Sequence, residues 1–374
     1  MTRSIAFLSL FLATLSSCNP PPPSTQGIPP DEAVIPKRPL VVRAGKPVAD
    51  LPGERHFKNV RKLTSGGENA EAYWSHDGKK LVFQRRLKTT ECDQIYVLDL
   101  ESEAPPRMVS TGKGVTTCAY FTLDDKKIVY ASTHAFDEKC PPPVMIVKGR
   151  YVWAVREGYD LFRCNLDGTG LEQLTKSPRY DAEATVCPVT GRIVFTSARS
   201  NDLEVWSMEQ DGTDLKQLTS HVGYDGGPFY SHDGSKIVYR CAVFDSPAEE
   251  SAAVKLLEQN VVEPKHLEIM VMDRDGKNPR QITSNGKANF APYFTPDDKA
   301  IVFASNVDEQ NPRGRNFEIY RIGLDGKGQE RITTNPTFDA FPMFSPDGKH
   351  FVFASNRHGD AEGETNIFIC EWVD

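Results

Sequence analysis

Short apolar runs separated by polar turns recur along the chain, and one form of them returns six times. It reads YWSHDGKKLVF ending at Phe83, YFTLDDKKIVY at Tyr130, TVCPVTGRIVF at Phe195, FYSHDGSKIVY at Tyr239, YFTPDDKAIVF at Phe303 and MFSPDGKHFVF at Phe353. The successive spacings are 47, 65, 44, 64 and 50 residues. An internal repeat of this period sets the architecture before local propensity does. In each copy two strand-like runs flank a tight polar turn, the pattern of a hairpin. A further run follows each copy (DQIYVLDL, YDLFRCNLDG, DLEVWSMEQDG, LEIMVMDRDG, FEIYRIGLDG, NIFICEWVD), and then, in five units, a short outer one such as LEQLT, LKQLT, PRQIT or QERIT. β-branched and aromatic residues fill these runs, as a half-buried pleated surface requires.

Each unit is therefore a four-stranded antiparallel sheet, and six of them predict an all-β fold, a six-bladed β-propeller. The last unit stops at Asp374 after its third strand. The missing fourth strand is present at the other end, as Val60-Arg61-Lys62-Leu63-Thr64, so an N-terminal strand is expected to close the ring in the last blade.

Ahead of the repeats lie two segments of different character. Residues 1–18 read as an export signal, with Arg3 at the positive end and an apolar run, Ile5 to Leu15, too short to span a bilayer. The run ends at Leu15-Ser16-Ser17-Cys18, which resembles the bacterial lipobox; the resemblance implies lipidation of Cys18 and a membrane held through that anchor. Asn19 follows in place of the Asp associated with inner-membrane retention, which points to the periplasmic side of an outer membrane. Residues 19–56 are rich in Pro and polar residues and read as a disordered tether, leaving 57–374 for the propeller. The formal charge of −7 and pI near 5.7 give no basic footprint, so nucleic acid is not expected as a partner. A monomer is expected.

Propeller connectivity places the Ser-Pro-Asp-Gly turns on one face, where Asp77, Asp233 and Asp347 are accounted for by turn chemistry. The opposite face carries the irregular loops. Blade two inserts a segment between Thr133 and Gly158, blade four one between Ala242 and His266, and blade five contributes Arg313 and Arg315. In the second insertion Ser246 and Pro247 suit a helix start, and Val254, Leu256 and Leu257 could pack down. Long loops on a rigid scaffold are where recognition usually sits. The blade links reach the same face. Counting back from each hairpin gives a ring of Asn69, Thr116, Asp181, Asp225, Asn289 and Asp339, with Glu71, Cys118 and Glu183 two positions further in. An oxygen-rich mouth could hold a hard cation such as calcium, or polar groups of a peptide or sugar; alternatively these side chains cap the inner strands. Arg86, Arg199, Arg240, Arg315 and Arg357 follow second strands, as carboxylate binders or as scaffold ion pairs.

The hairpin turn, the aromatic that ends it and the Leu-Thr outer strand together resemble the TolB-like propeller repeat over Phe57 to Asp374. The stretches YDGGPFYSHDGSKIVYR and NPRGRNFEIYRIGLDG look like an uncharacterised group of exported TolB-like proteins, and residues 19–56 are too short and Pro-rich for the TolB N-terminal domain. Of the cysteines, Cys92, Cys118 and Cys140 map to one region, with Cys92–Cys140 the first pairing expected and Cys92–Cys118 the second. No Gly-x-Ser-x-Gly, His-Glu-x-x-His or phosphate-loop pattern occurs, and His134 is the one histidine placed to act as a base. The reading is a membrane-tethered envelope propeller that binds a protein or peptide partner on its loop face and uses no cofactor. The alternatives are a periplasmic enzyme acting on polysaccharide or peptide at the channel mouth, and a passive scaffold.

Overall fold

The structure, a computed structural model, describes residues 39–374 apart from 89, 90, 143, 145, 148 and 311–315. Cys18 and Arg315 lie outside the described residues. Six antiparallel sheets surround a central channel, each with its first strand innermost: Glu68–Trp74, Thr116–Phe121, Asp181–Val186, Asp225–Tyr230, Asn289–Phe294 and Asp339–Phe344. In the last sheet the third strand, Asn366–Trp372, pairs with Phe57–Lys62, Phe57 opposite Trp372 and Lys62 opposite Phe368. The N-terminal strand thus occupies the place of the missing fourth strand.

The repeat signature has a structural cause at each position. Ser75 donates to Asp77 at 2.7 Å and Asp77 accepts the Lys79 amide at 3.0 Å, and the same arrangement recurs at Asp233 and Asp347. Those acids shape turns, as their residue type suggested. The aromatics that end the hairpins, Phe83, Tyr130, Phe195, Tyr239, Phe303 and Phe353, are all buried between blades. Each contributes about 1.5–3 kcal/mol by leaving water. The Thr of the outer strand accepts a backbone amide of the third strand in its own blade, as from Val205 to Thr219, Ile269 to Thr283 and Ile319 to Thr333. Its hydroxyl then donates to the acid that begins that third strand, Glu204, Glu268 or Glu318. The two-residue outer strands are held by this side-chain bond as much as by their ladder.

The expected tether is partly folded. From residue 39 the chain lies against the last blade, where Lys46–Pro47 adds a fifth strand beside Phe57–Lys62. Ala44 is buried, and Glu54 is buried in a two-bond ion pair with Arg357 at 2.8 and 2.9 Å. Low aromatic content suggested disorder, but an open sheet edge docks the segment through its backbone, with Val48 bonded to Val60, Arg43 and Ala44 to the Leu100 carbonyl of blade one, and Arg61 to the carbonyls of 43–45.

The two insertions meet above the channel. Trp153–Ala154 from blade two pairs with Val261–Val262 from blade four, and Arg150 reaches Glu263 at 3.2 Å. A disulfide, Cys92–Cys140, fastens the blade-two insertion to blade one. Helix Pro247–Leu257 begins with Ser246 accepting the Glu249 amide and Pro247 in the first turn. Leu256 packs on Val152 and Val261, whereas Val254 is exposed, because residues two apart on a helix do not share a face.

Candidate functional site

The channel is a cup rather than a tube. Near the turn face it is closed by Tyr73, Tyr120, Phe229 and Tyr293, all buried, with ring centroids 5.4 to 5.7 Å apart for successive contacts from Tyr120 through Tyr73 and Phe229 to Tyr293. Toward the loop face it opens into a cavity of about 850 Å³ overhung by the paired insertions, Trp153 and Arg150 on one side and Val262 to Lys265 on the other. That volume falls within the range of small-ligand pockets.

A repeated backbone feature decides what faces the cavity. Each first strand carries a register shift near its third residue. The residue there has positive φ: Glu71 56°, Cys118 44°, Glu183 58°, Gly227 58°, Ala291 50° and Phe341 56°. Such bulges re-aim side chains, and non-glycine residues hold this conformation at a cost, most often at functional positions. All six line the cup.

The cup has two unlike walls. On the charged wall Glu183 pairs with Arg240, accepts Tyr224 and Thr196 hydroxyls at 2.6 Å each, and accepts the Gly227 amide at 2.9 Å. Burial opposes ionisation of Glu183, but Arg240 and these donors outweigh it and hold the carboxyl below its ordinary range. Arg240 also lies over the rings of Tyr224 and Trp153, at 4.8 and 5.5 Å. A Cβ on Gly227 would sit 2.3 Å from Arg240 Nη1, and one on Gly226 2.7 Å from Glu183 Oε2, so the Gly-Gly pair makes room for this cluster. Among the described residues Glu71 has no ion-pair partner: it accepts the Cys118 thiol at 2.7 Å and the Tyr73 hydroxyl at 3.2 Å. Burial, with help from Glu183, pushes its carboxyl up to about 7. Burial and the two glutamates push the Cys118 thiol far up, so it remains a donor and not a nucleophile.

The opposite wall is aromatic. Phe290 contacts Phe317 and Phe341 at 4.9 and 5.6 Å and Trp153 at 6.0 Å, while Phe338 stands 6.4 Å from Phe341. Trp153, Phe317, Phe338 and Phe341 are half-buried, open to the cavity.

Of the residues expected at the mouth, Glu71, Cys118, Glu183 and Arg240 come together in the cup. The ring two positions earlier does not face it. Asn69 donates to the Gly66 and Thr365 carbonyls, Asn289 to the Leu267 carbonyl, Asp181 is bound by Ser197 and Arg199, and Asp339 by Arg357. The asparagines thus tie neighbouring blades, whereas the two acids are bonded within their own blades, where half-buried Arg199 also lies over Trp206 at 5.1 Å. Asp225 is buried too, and its Oδ1 has no hydrogen-bond partner. The oxygen-rich ring does not converge on one mouth that could hold a hard cation, since Asp181, Asp225 and Asp339 are each buried in a separate blade. His134 bonds Ser132 at 2.8 Å and packs on Phe162 at 4.2 Å, away from the cup. Arg86 pairs with Glu68 at 2.6 Å. The aromatic wall was missed, although carrying the offset of Glu71, Cys118 and Glu183 through all six repeats reaches Gly227, Ala291 and Phe341.

No family model matches the chain. The uncharacterised protein Atu1656 of Agrobacterium fabrum is 34% identical over 216 residues, covering 50% of this chain and 71% of that protein. Dipeptidyl-peptidase 5 of Porphyromonas endodontalis is 33% identical over 79 residues, 21% of this chain and 11% of that enzyme. Among solved structures, one assigned to TolB from Agrobacterium tumefaciens superposes with a TM-score of 0.52 at 16% identity, over 82% of this chain and 91% of that one. The chain belongs to the family of Atu1656, and its fold is that of the TolB-like six-bladed β-propellers.

Proposed function

We propose that the protein is a cell-envelope binding propeller that takes a segment of a peptide or protein partner into the cup beneath its two insertions. The observation that carries this is the division of one cavity into a wall of aromatic rings and a wall holding Glu71, a half-buried carboxylate with no ion-pair partner among the described residues. A peptide segment with an apolar side chain and an amine suits both: the rings take the side chain, and the amine restores a charge partner to Glu71. The enzyme alternative would use Glu71 as a general acid, since its carboxyl titrates near neutrality. Among the described residues it lacks a second free carboxylate to act with it, because Glu183 is occupied by Arg240, Tyr224, Thr196 and the Gly227 amide.

No helix among the described residues is long and apolar enough to cross a membrane, so attachment in this reading rests on lipidated Cys18. Cys18→Ala should move the protein from the membrane to the soluble fraction, and persistent membrane attachment would remove the anchor from the account. Capture from envelope extract, comparing wild type with Glu71→Gln and Phe341→Ala at matched stability, tests the cup. Both variants should recover at least about tenfold less of one partner, the loss expected when a central anchor worth 1.4 kcal/mol or more is removed. Undiminished recovery by both would place binding elsewhere, and turnover of an oligosaccharide or peptide lost in Glu71→Gln would replace binding by catalysis.

A further inference from the structure

Three blades carry a carboxylate at the same ring position, and two of them resolve it in the same way. Asp181 lies opposite Ser197 in the ladder and pairs with Arg199; Asp339 lies opposite Ser355 and pairs with Arg357. Blade four departs from this at both partner positions. Asp225 lies opposite Cys241, and the place of the arginine is taken by Val243. Asp225 is 1% exposed with Oδ1 lacking a hydrogen bond, so only the Cys241 and Thr219 side chains and the nearby His221 offset its burial. The blade link supplies a third group. His221 Nδ1 lies 3.6 Å from Cys241 Sγ, and a nitrogen of this ring, the sulfur and a carboxylate oxygen of Asp225 all fall within 4.8 Å of one another.

We propose that His221, Asp225 and Cys241 form a binding site for one divalent transition cation, with zinc the best match. The donor set decides the class: thiolate and imidazole favour zinc-like ions, whereas calcium and magnesium need oxygen ligands throughout. The geometry agrees, because nitrogen and sulfur on a tetrahedron with bonds of about 2.0 and 2.3 Å stand roughly 3.6 Å apart. His221 is exposed while Asp225 and Cys241 are buried, so an ion enters from the loop face and water completes its shell on that side. On binding, the Cys241 thiol gives its proton to solvent as its sulfur takes the metal. Because Asp225 directly follows Tyr224, which holds Glu183 and overlaps Arg240, the ion would brace the charged wall of the cup from behind.

Equilibrium dialysis of the purified, untagged chain against Zn²⁺, with Co²⁺ as a spectroscopic stand-in, tests this. The wild type should retain one ion per chain and show a thiolate-to-cobalt charge-transfer band. His221→Ala, which alters only an exposed ligand, should weaken binding at least about tenfold, the loss that even an outer-shell partner produces. Cys241→Ser should abolish the charge-transfer band while keeping the propeller's circular dichroism. Absence of retained metal in the wild type, or retention and spectra unchanged in both variants, would overturn the proposal.

Discussion

Glu71 shows how one backbone torsion determines a side chain's role. Asn69 and Glu71 are two apart on one strand and would share a side of a regular sheet, yet the first is tied into a blade seam and the second faces the cup. The bulge between them, with φ of 56° at Glu71, breaks the alternation. Burial then outweighs the Cys118 bond and the pull of Arg240 and raises the carboxyl from 4.5 to about 7. A carboxyl whose folded pKa lies above its unfolded value holds its proton more tightly in the native state. Its contribution is fully present below pH 4.5 and lost as pH rises through about 7. Glu71→Gln should therefore unfold with a smaller loss of stability between pH 5 and 8 than the wild type. The variant should gain about 1–3 kcal/mol at pH 8, read from urea midpoints at each pH. Parallel pH profiles for the two proteins would remove the buried-charge reading of Glu71. Turn acids such as Asp347 were legible in the sequence, because the turn alone demands them. The places of Asp181 and Asp339 were not, since counting along a strand gives depth in the channel but cannot see the bulge that reorients the chain.

At the scale of elements, the closing strand and the paired insertions do different work. Phe57–Lys62 is joined to the last blade by its ladder, by Thr64 bonded to the Ile367 amide and Asn366, and by Phe57 stacked on Phe353 at 5.1 Å. It brings Glu54 to Arg357, so residues 39–62 close the ring and neutralise a buried cation together. Arg357→Met alone would leave Glu54 and Asp339 as buried unpaired carboxylates and should cost about 3–5 kcal/mol by thermal unfolding, as for other broken buried pairs. A cost below about 1 kcal/mol would show that the N-terminal segment docks without this ion pair. The strand and its partner were legible because six repeats left one vacancy. The docking of residues 39–56 was not, since nothing in a Pro-rich stretch marks Glu54 as the partner of a residue some 300 positions away. The meeting of Trp153–Ala154 with Val261–Val262 was hidden for the same reason: two insertions that read as separate loops form one roof only when the blades place them near each other.

Across the whole molecule, repetition and its failures carry separate information. Where the six units agree, in the hairpin turn, the interblade aromatic and the outer-strand Thr, the residues build the scaffold. Where they disagree at one equivalent position, as in Glu71, Cys118, Glu183, Gly227, Ala291 and Phe341, they line a cavity with two chemically distinct walls. In the proposed function this cup, roofed by the insertions and backed by blade four, is where the partner binds. Site-specific photo-crosslinking in intact cells tests it most directly, with the reactive side chain placed at Phe338 or Phe341 in the cup and at His134 outside it. Positions 338 and 341 should give one shared adduct and position 134 none; adducts from 134 with none from the cup would place the partner elsewhere.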